Sequence, residues 1–339
     1  MRVVVVGAGI VGAAIAFAAA RRGAEVTLVD AVGPAAGATG ASFGWIGTSG
    51  KFPGGAAALR DDVLPHWRRL EAEVPGVEIR WTGSLTWPAP DGPVPGAQLL
   101  AADRVAALEP NLRDPSPGAL HHPGDGALDP VAVTGALIDA ARGLGARTRF
   151  GVPVERVLVR GGRAAGVETP DGPIGADAVV AAAGTGMAGL CDLPVAASPA
   201  VLVRIPAQRG LVRTVFAAPG FEVRERAGGG LLAAVGCPDG PEEAGHRAAR
   251  AVAAAFRGTA DARPDAVHVG LRPMPADRAP IVGPVPGLPG LYAAVMHSGV
   301  TLAPVVGDLV ATEVVDGVPA AALAGCRPER YAACDTQGT

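Results

Sequence analysis

A chain of 339 residues, 49% of them hydrophobic, is long enough for two domains that each bury a core. Its net charge of −3 and its single lysine, Lys51, argue against a basic surface that binds nucleic acid through phosphates. The four cysteines form no Cys-x-x-Cys pair and no zinc-ligand spacing. We therefore expect free thiols, no metal site and a cytoplasmic protein.

The first elements of the chain are a predicted strand, helix and second strand. Residues 2–6 are a β-branched run of the kind found in buried parallel strands, residues 10–22 are an alanine-rich helix, and residues 25–30 are the second strand. The uncharged segment 3–20 also resembles a signal peptide or a short membrane span. Its glycines and the strand that follows favour the globular βαβ interpretation, so we expect no membrane segment.

A glycine motif occupies the turn between the first strand and the helix. Gly7, Gly9 and Gly12 have the Gly-x-Gly-x-x-Gly spacing in the strand–turn–helix context that a dinucleotide site requires. The first glycine permits the tight turn, the second lets a diphosphate approach, and the third lets the helix pack closely on the strand. Ile10 and Val11 begin the helix, whose free N–H groups favour an anion. This pattern predicts dinucleotide binding.

An acidic residue, Asp30, ends the second predicted strand. A carboxylate at this place is suited to hydrogen bonds with ribose hydroxyls, and it disfavours the 2′-phosphate of NADP. The βαβ unit by itself does not distinguish FAD from NAD.

The remaining predicted elements alternate between helices and short strands separated by Pro/Gly-rich loops. Asp129 and Pro130 are a typical N-cap and first residue of a helix, and Gly161-Gly162 is a typical hairpin turn. The predicted helices are 56–74, 130–141, 242–257 and 300–315. The predicted strands are 154–160, 163–169, 177–183, 200–205, 221–224, 231–235, 267–271 and 291–295, with a Pro-rich loop after residue 271.

Three stretches carry a resemblance to a known family. They are the small-residue loop Gly37-Ala38-Thr39-Gly40-Ala41-Ser42-Phe43-Gly44, the block 126–184, and the run Gly270-Leu271-Arg272-Pro273-Met274-Pro275-Ala276-Asp277-Arg278-Ala279-Pro280-Ile281-Val282-Gly283, which is followed by 291–304. Together they resemble the D-amino acid oxidase, glycine oxidase and sarcosine oxidase family of flavoenzymes over most of the chain. The resemblance implies FAD rather than NAD.

The resemblance also implies which residues contact FAD. The small-residue loop would lie against the flavin, Val154 would bracket the adenine, and the helix near Ser298 would point its N-terminus at the flavin. The full predicted cofactor site consists of Gly7, Gly9, Ile10, Val11, Gly12, Asp30, Thr39, Gly40, Ala41, Ser42, Val154, Ala183, Gly184, Arg272, Ser298, Gly299, Val300 and Thr301.

Two residues are the catalytic candidates. In the family that the chain resembles, the arginine matching Arg272 pairs with the substrate carboxylate, a task suited to its planar fork of donors. The alternative is a structural arginine that caps backbone carbonyls in a Pro-rich loop. His297 is predicted either to contact flavin or substrate or to be satisfied by backbone at a helix start.

The chain also departs from the family pattern. The pocket tyrosines of the amino acid oxidases have no clear match, and the position that tethers flavin in sarcosine oxidases is Gly270, so we expect non-covalent FAD. Lys51 lies in the wrong region for the lysine that serves oxygen in sarcosine oxidases. The acceptor therefore stays open between oxygen and another electron acceptor.

Two further polar clusters have plainer interpretations. His121 and His122 with Asp125 and Asp129 suggest a metal site, but a solvated loop ahead of a helix is the favoured interpretation. Arg224, three residues after Phe221, either lines the pocket or faces water, and water is the favoured interpretation.

These observations predict an α/β fold with two domains. We expect a Rossmann-type FAD-binding domain of residues 1–50, 131–193 and 262–327, a substrate domain of residues 51–130 and 194–261 built on an antiparallel sheet, and a loose tail, 328–339. The expected reaction oxidises the C–N bond of a small amine or amino acid by hydride transfer to flavin N5, and the imine is then hydrolysed. Alternatives are a monooxygenase, a dehydrogenase with a non-oxygen acceptor, or a flavin-bearing partner subunit; an oligomer is possible.

Overall fold

The computed structural model describes residues 1–48, 54–89, 94–115 and 118–332. The helices are α1 (Ile10–Arg21), α2 (Arg60–Glu73), α3 (Ala102–Leu108), α4 (Pro130–Gly143), α5 (Pro241–Ala255), α6 (Gly299–Val315) and α7 (Glu329–Ala332), with 3-10 turns at Gly54–Leu59, Gly184–Gly189 and Ala321–Cys326. The strands are β1 (Arg2–Val6), β2 (Glu25–Asp30), β3 (Trp45–Ile46), β4 (Ile79–Arg80), β5 (Ser84–Thr86), β6 (Gln98–Leu100), β7 (Ala119–His122), β8 (Gly126–Leu128), β9 (Arg147–Phe150), β10 (Arg156–Arg160), β11 (Arg163–Glu168), β12 (Ile174–Gly175), β13 (Ala178–Ala181), β14 (Val195–Ile205), β15 (Val215–Ala218), β16 (Phe221–Glu225), β17 (Leu231–Val235), β18 (Ala266–Pro275), β19 (Ile281–Pro284) and β20 (Leu291–Val295).

A six-stranded sheet forms the first layer, in the order β19-β20-β13-β1-β2-β9. Its pairs are parallel except β19 with β20, so the carboxyl ends of the parallel strands meet at one edge. The central strand β1 is buried at every position after Arg2, as its β-branched run predicts for a sheet covered on both faces.

Helix α1 packs against this sheet and against the helices α4 and α6. Ten of its twelve residues are buried, which accounts for the lack of charge that resembles a signal peptide. The Asp129 side chain accepts hydrogen bonds from the backbone N–H groups of Val131 and Ala132, and Pro130 is the first residue of α4, as predicted.

An eight-stranded sheet forms the second large layer, in the order β18-β14-β17-β16-β15-β5-β7-β6. Its pairs are antiparallel except β15 with β5, which run parallel. Helix α5 packs on it, and both sides of that contact contribute to an apolar cluster around Phe216 and Phe256. The mixed α/β fold with a parallel and an antiparallel layer is the fold that the sequence predicts.

The strand β18 is longer than predicted and changes the setting of one candidate residue. Residues 272–275, expected in a Pro-rich loop, continue the strand and pair with residues 195–198 of β14. Two prolines are tolerated there because β18 is the edge strand and needs no ladder donors on its outer side. Arg272 therefore projects from a strand of the eight-stranded sheet, whereas the sequence predicts that its segment, 262–327, belongs to the FAD-binding domain.

The start of the predicted loose tail is ordered. Residues Glu329–Ala332 form the helix α7, and the Arg330 and Tyr331 side chains donate hydrogen bonds to the carboxylate of Asp277 at 2.7 and 2.6 Å. Although burial opposes ionisation, the hydrogen bonds from Arg330 and Tyr331 lower the pKa of Asp277 to about 2. These contacts correct the expectation for residues 328–332, and the rest of the tail, 333–339, lies outside the described residues.

Across the described ranges, the helices are all too short or too polar to cross a lipid bilayer.

Candidate active site

A cavity of about 620 Å³ lies at the carboxyl edge of the six-stranded sheet, where open α/β sheets commonly bind ligands. Its floor comes from the ends of β1, β2, β13 and β20 and from the N-termini of α1 and α6. Its roof is one face of the eight-stranded sheet, represented by Ala200, Leu202, Glu222 and Ala234. Residues of both sheets thus line one cavity.

The three glycines of the motif have different surroundings. A Cβ on Gly7, whose φ is +108°, would lie 2.4 Å from the Ala182 carbonyl oxygen, and one on Gly12 would lie 1.9 Å from the Gly7 carbonyl oxygen. At Gly9 the nearest atom is the Thr39 hydroxyl at 3.0 Å, and this residue lines the cavity. Gly7 and Gly12 make the turn and the helix packing possible, while Gly9 leaves room for a ligand.

The N-terminus of α1 opens on the cavity without a competing anion. It has no side-chain cap and no acidic residue in its first turn, and Ile10 and Val11 line the cavity. The Ile10 N–H donates to the Thr39 hydroxyl at 3.1 Å. The remaining N–H groups and the helix dipole favour a negatively charged group such as a diphosphate.

Asp30 borders the cavity and also holds the surrounding backbone. One carboxylate oxygen accepts the Ala8 N–H at 2.8 Å, and the other accepts the N–H groups of Val32 and Gly33, each at 2.8 Å. A carboxylate has about four acceptor positions, so one is left for a ribose hydroxyl. Asp30 therefore fixes the glycine turn as well as facing the ligand space.

The small-residue loop passes between the two sheets. Thr39, Ala41 and Ser42 line the cavity, whereas Gly40 does not, because it packs against the Ala35 carbonyl, where a Cβ would come within 2.5 Å. The loop continues into Trp45, which also lines the cavity and which the sequence-based site omitted.

The other predicted residues converge from distant parts of the chain. Seventeen of the nineteen predicted site residues line the one cavity, and Gly12 and Gly40 serve packing beside it. The predicted residues beyond the first 45 positions that line it are Val154, Ala183, Gly184, Arg272, His297, Ser298, Gly299, Val300 and Thr301. Helix α6 begins here without a side-chain cap, so it presents a second set of free N–H groups.

Arg272 and His297 face each other in the cavity wall. The Arg272 guanidinium donates to the Ser198 carbonyl at 3.3 Å, the Ser198 hydroxyl at 3.0 Å and the Pro199 carbonyl at 3.4 Å. Its Nη1 lies 3.4 Å from His297 Nε2. The arginine donates to backbone carbonyls, as a structural arginine would, and it also lines the cavity, as a substrate-binding arginine would.

His297 is a neutral imidazole in this setting. Burial lowers its pKa, and the nearby positive charges of Arg272 and Arg278 lower it further. Since an arginine N–H can only donate, Nε2 must accept and the ring proton is assigned to Nδ1, which lies 3.4 Å from the Ser298 hydroxyl.

The sequence favours a position of Arg224 that faces water, but this side chain is buried. It donates to the carbonyls of Phe43 at 2.7 Å and Leu128 at 3.1 Å, and burial lowers its pKa to about 10. The small-residue loop and β8 cover the face of β16 that carries Arg224, and this tertiary contact excludes water. Phe221 faces the core cluster behind the sheet, while Glu222, which was not predicted, lines the cavity.

His122 is part of a buried polar cluster rather than a solvated loop. Its Nδ1 lies 2.9 Å from a carboxylate oxygen of the fully buried Asp125. Asp125 also accepts from the Ser84 hydroxyl at 2.7 Å and the Trp45 indole N–H at 3.1 Å. Because the cluster holds the cavity residue Trp45, it is joined to the site. In the part of the chain that the structure describes, no three His, Cys, Asp or Glu side chains are grouped to hold a metal.

Comparison with known proteins identifies the family to which the chain belongs. A family model described as FAD dependent oxidoreductase matches residues 2–313. The D-amino acid dehydrogenase of Cereibacter sphaeroides (strain ATCC 17029 / ATH 2.4.9) is 32% identical over 287 residues, which are 79% of this chain and 63% of that protein. The chain thus spans less than two thirds of that relative.

Two solved structures share the fold. Glycine oxidase from Geobacillus kaustophilus superposes with a TM-score of 0.84 at 24% identity, covering 96% of this chain and 98% of that one. L-proline dehydrogenase from P.horikoshii superposes with a TM-score of 0.89 at 21% identity, covering 98% of each chain.

Proposed function

Because the chain belongs to the family of FAD dependent oxidoreductases, we propose that it oxidises the C–N bond of a small amine or amino acid with FAD bound in the cavity. The flavin supplies the acceptor for the substrate's α-hydrogen, which leaves as hydride, and the resulting imine is hydrolysed by water. The residues of this chain bind and orient the two reactants and limit access of water.

The residues at the carboxyl edge fit FAD. Gly9 leaves an open approach to the first turn of α1, and two uncapped helix N-termini supply N–H donors. A diphosphate suits the first of these, and the carbonyl oxygen of a flavin ring suits the second. Asp30 retains one acceptor position for a ribose hydroxyl.

The position of Arg272 carries the proposal for the substrate. Its side chain lines the cavity from the roof, opposite the strand ends and helix N-termini that fit the cofactor. The neighbouring His297 is neutral, so Arg272 supplies the positive charge of this pair. A planar guanidinium here suits a substrate carboxylate, and this supports an amino acid over a simple amine.

The identity of the electron acceptor, the cellular location and the oligomeric state stay predictions. The sequence leaves oxygen and another electron acceptor open, and Lys51, the only lysine, lies outside the described residues. A cytoplasmic location and an oligomer are likewise expectations from the sequence.

An anaerobic reduction screen tests the proposed function. The holoenzyme is mixed with amines and with D- and L-amino acids, and loss of the flavin absorbance is followed. We expect at least one amino acid to bleach the flavin, with faster reduction than by the amine that lacks its carboxylate. Bleaching by NADPH alone would indicate a monooxygenase, and no bleaching by any amine or amino acid would contradict the proposal.

A further inference from the structure

One acidic side chain in the cavity roof has no assigned role. Glu222 lies on β16 between Ala217 of β15 and Ala234 of β17, and it lines the cavity beside Ala234 and Leu202. Among the described residues, its carboxylate makes no hydrogen bond and no ion pair. A carboxylate held in a cavity without a partner is costly, because no protein donor replaces the water that it loses.

The charged groups around Glu222 restrict which kind of ligand can pair with its carboxylate. Burial raises the pKa of Glu222, and the positive charge of Arg272 opposes that rise. Arg224 is on the same face two residues on, and each of its three nitrogens donates to a backbone carbonyl. His297 lines the same cavity and is neutral. The positive charge that acts on Glu222 is therefore that of Arg272. Within the part of the chain that the structure describes, the two side chains form no ion pair.

We propose that Glu222 binds the ammonium group of a zwitterionic amino acid whose carboxylate is held by Arg272, and that it takes the ammonium proton before oxidation. This inference rests on the proposed function and specifies its substrate class. One N–H bond of the ammonium breaks, the proton passes to a carboxylate oxygen of Glu222, and the nitrogen keeps the electron pair. Hydride transfer requires this pair, since it forms the carbon–nitrogen double bond of the imine.

The arrangement also predicts what the cavity rejects. A ligand with a carboxylate and no amine places its charge near Glu222 without a compensating ammonium, and like charges disfavour such binding. A dicarboxylic substrate meets the same penalty if its second carboxylate reaches the roof. The selected class is therefore a neutral or basic amino acid.

The binding test compares alanine with propionate, which differ by the amino group. Under anaerobic conditions, the concentration dependence of rapid flavin reduction gives the affinity of wild type and Glu222→Gln for an alanine that reduces the flavin. Spectral titration gives the affinity for an alanine that does not reduce it and for propionate. We expect wild type to prefer an alanine, and the variant to lose roughly tenfold to a hundredfold in that preference. Glu78→Gln removes an exposed carboxylate outside the cavity and should match wild type.

The pH dependence of flavin reduction tests proton transfer separately. With Glu222→Gln the proton must go to solvent, so the rate should rise only as pH approaches the pKa of the free amine. We therefore expect an alkaline shift of the profile relative to wild type and Glu78→Gln. A variant with an unchanged binding preference, a variant with an unchanged profile, or a wild type without preference for alanine would overturn the proposal. If no amino acid reduces the wild-type flavin, the proposed function fails, while the binding comparison still decides the role of Glu222.

Discussion

Arg272 combines two tasks that the sequence presents as alternatives. Its guanidinium donates to Ser198 and Pro199 and also borders the cavity. The bonds to Ser198 fix the fork in place, and pre-orientation of this kind reduces the entropy lost when a carboxylate binds. Bracing by backbone is thus compatible with, and useful for, recognition of substrate.

Replacing Arg272 should affect reduction rate more than stability. Removing one partner of a buried charge pair costs about 2–5 kcal/mol, so Arg272→Ala should lower the second-order rate of flavin reduction by about thirtyfold to several thousandfold. Arg272→Lys should recover only part of the rate, because an ammonium lacks the two-pronged geometry.

Stopped-flow reduction and thermal unfolding on the same preparation separate the two tasks of Arg272. Arg204→Ala, which removes an exposed arginine from the adjacent strand β14, is the matched control. A stable Arg272→Ala enzyme that reduces at the wild-type rate with a carboxylated substrate would show that Arg272 is only a brace.

At the scale of single elements, the local sequence pattern predicts several helices and strands correctly. The βαβ unit, the helix capped by Asp129, and the strand Leu291–Val295 follow from periodicity, capping residues and glycine turns. Seventeen predicted site residues meet in one cavity because they lie at element ends that the α/β topology brings together.

What the sequence did not reveal depends on tertiary neighbours. The continuation of β18 through two prolines depends on its position at a sheet edge, and the burial of His122 depends on Asp125. Glu222 was within reach of sequence reasoning, because period-two alternation from Arg224 places both on one face. The sequence alone does not show which face of β16 borders the cavity.

Arg224 is expected to fasten the strand β16 to the loop below it. Its bonds to the Phe43 and Leu128 carbonyls join the eight-stranded sheet to the small-residue loop and to β8. Arg224→Met keeps much of the volume but leaves two buried carbonyls without donors, which should lower the free energy of unfolding by about 2–4 kcal/mol. Urea unfolding measures the loss, with Arg204→Met as the exposed control. A loss no larger than that of the control would show that water or neighbouring groups replace both bonds.

For the whole molecule, the proposed cofactor site is the cavity lined by residues of both large sheets. Its walls come from both sheets and from segments as distant in sequence as the glycine motif and the start of α6. A ligand that spans these segments binds the folded state and not the unfolded chain. FAD is therefore expected to stabilise the molecule as a whole.

Removing FAD should lower stability reversibly, because we expect the cofactor to be bound without a covalent bond. Of the cysteines in the described segments, Cys191, Cys237 and Cys326, none lines the cavity. At Gly270 the Ala41 carbonyl lies 2.8 Å from where a Cβ would stand, so the loop occupies the space a cysteine would need.

We expect yellow protein that contains one FAD per chain and releases it intact when denatured by acid or heat. Free FAD at a hundred times its Kd should raise the free energy of unfolding of the apoprotein by about 2.7 kcal/mol, and the melting temperature should rise with FAD concentration. Absorbance of supernatant and pellet after precipitation measures release, and NAD at the same concentration is the control for general dinucleotide effects. Flavin that remains with the precipitated chain would reveal a covalent bond, and an equal stabilisation by NAD would contradict the assignment of the cavity to FAD.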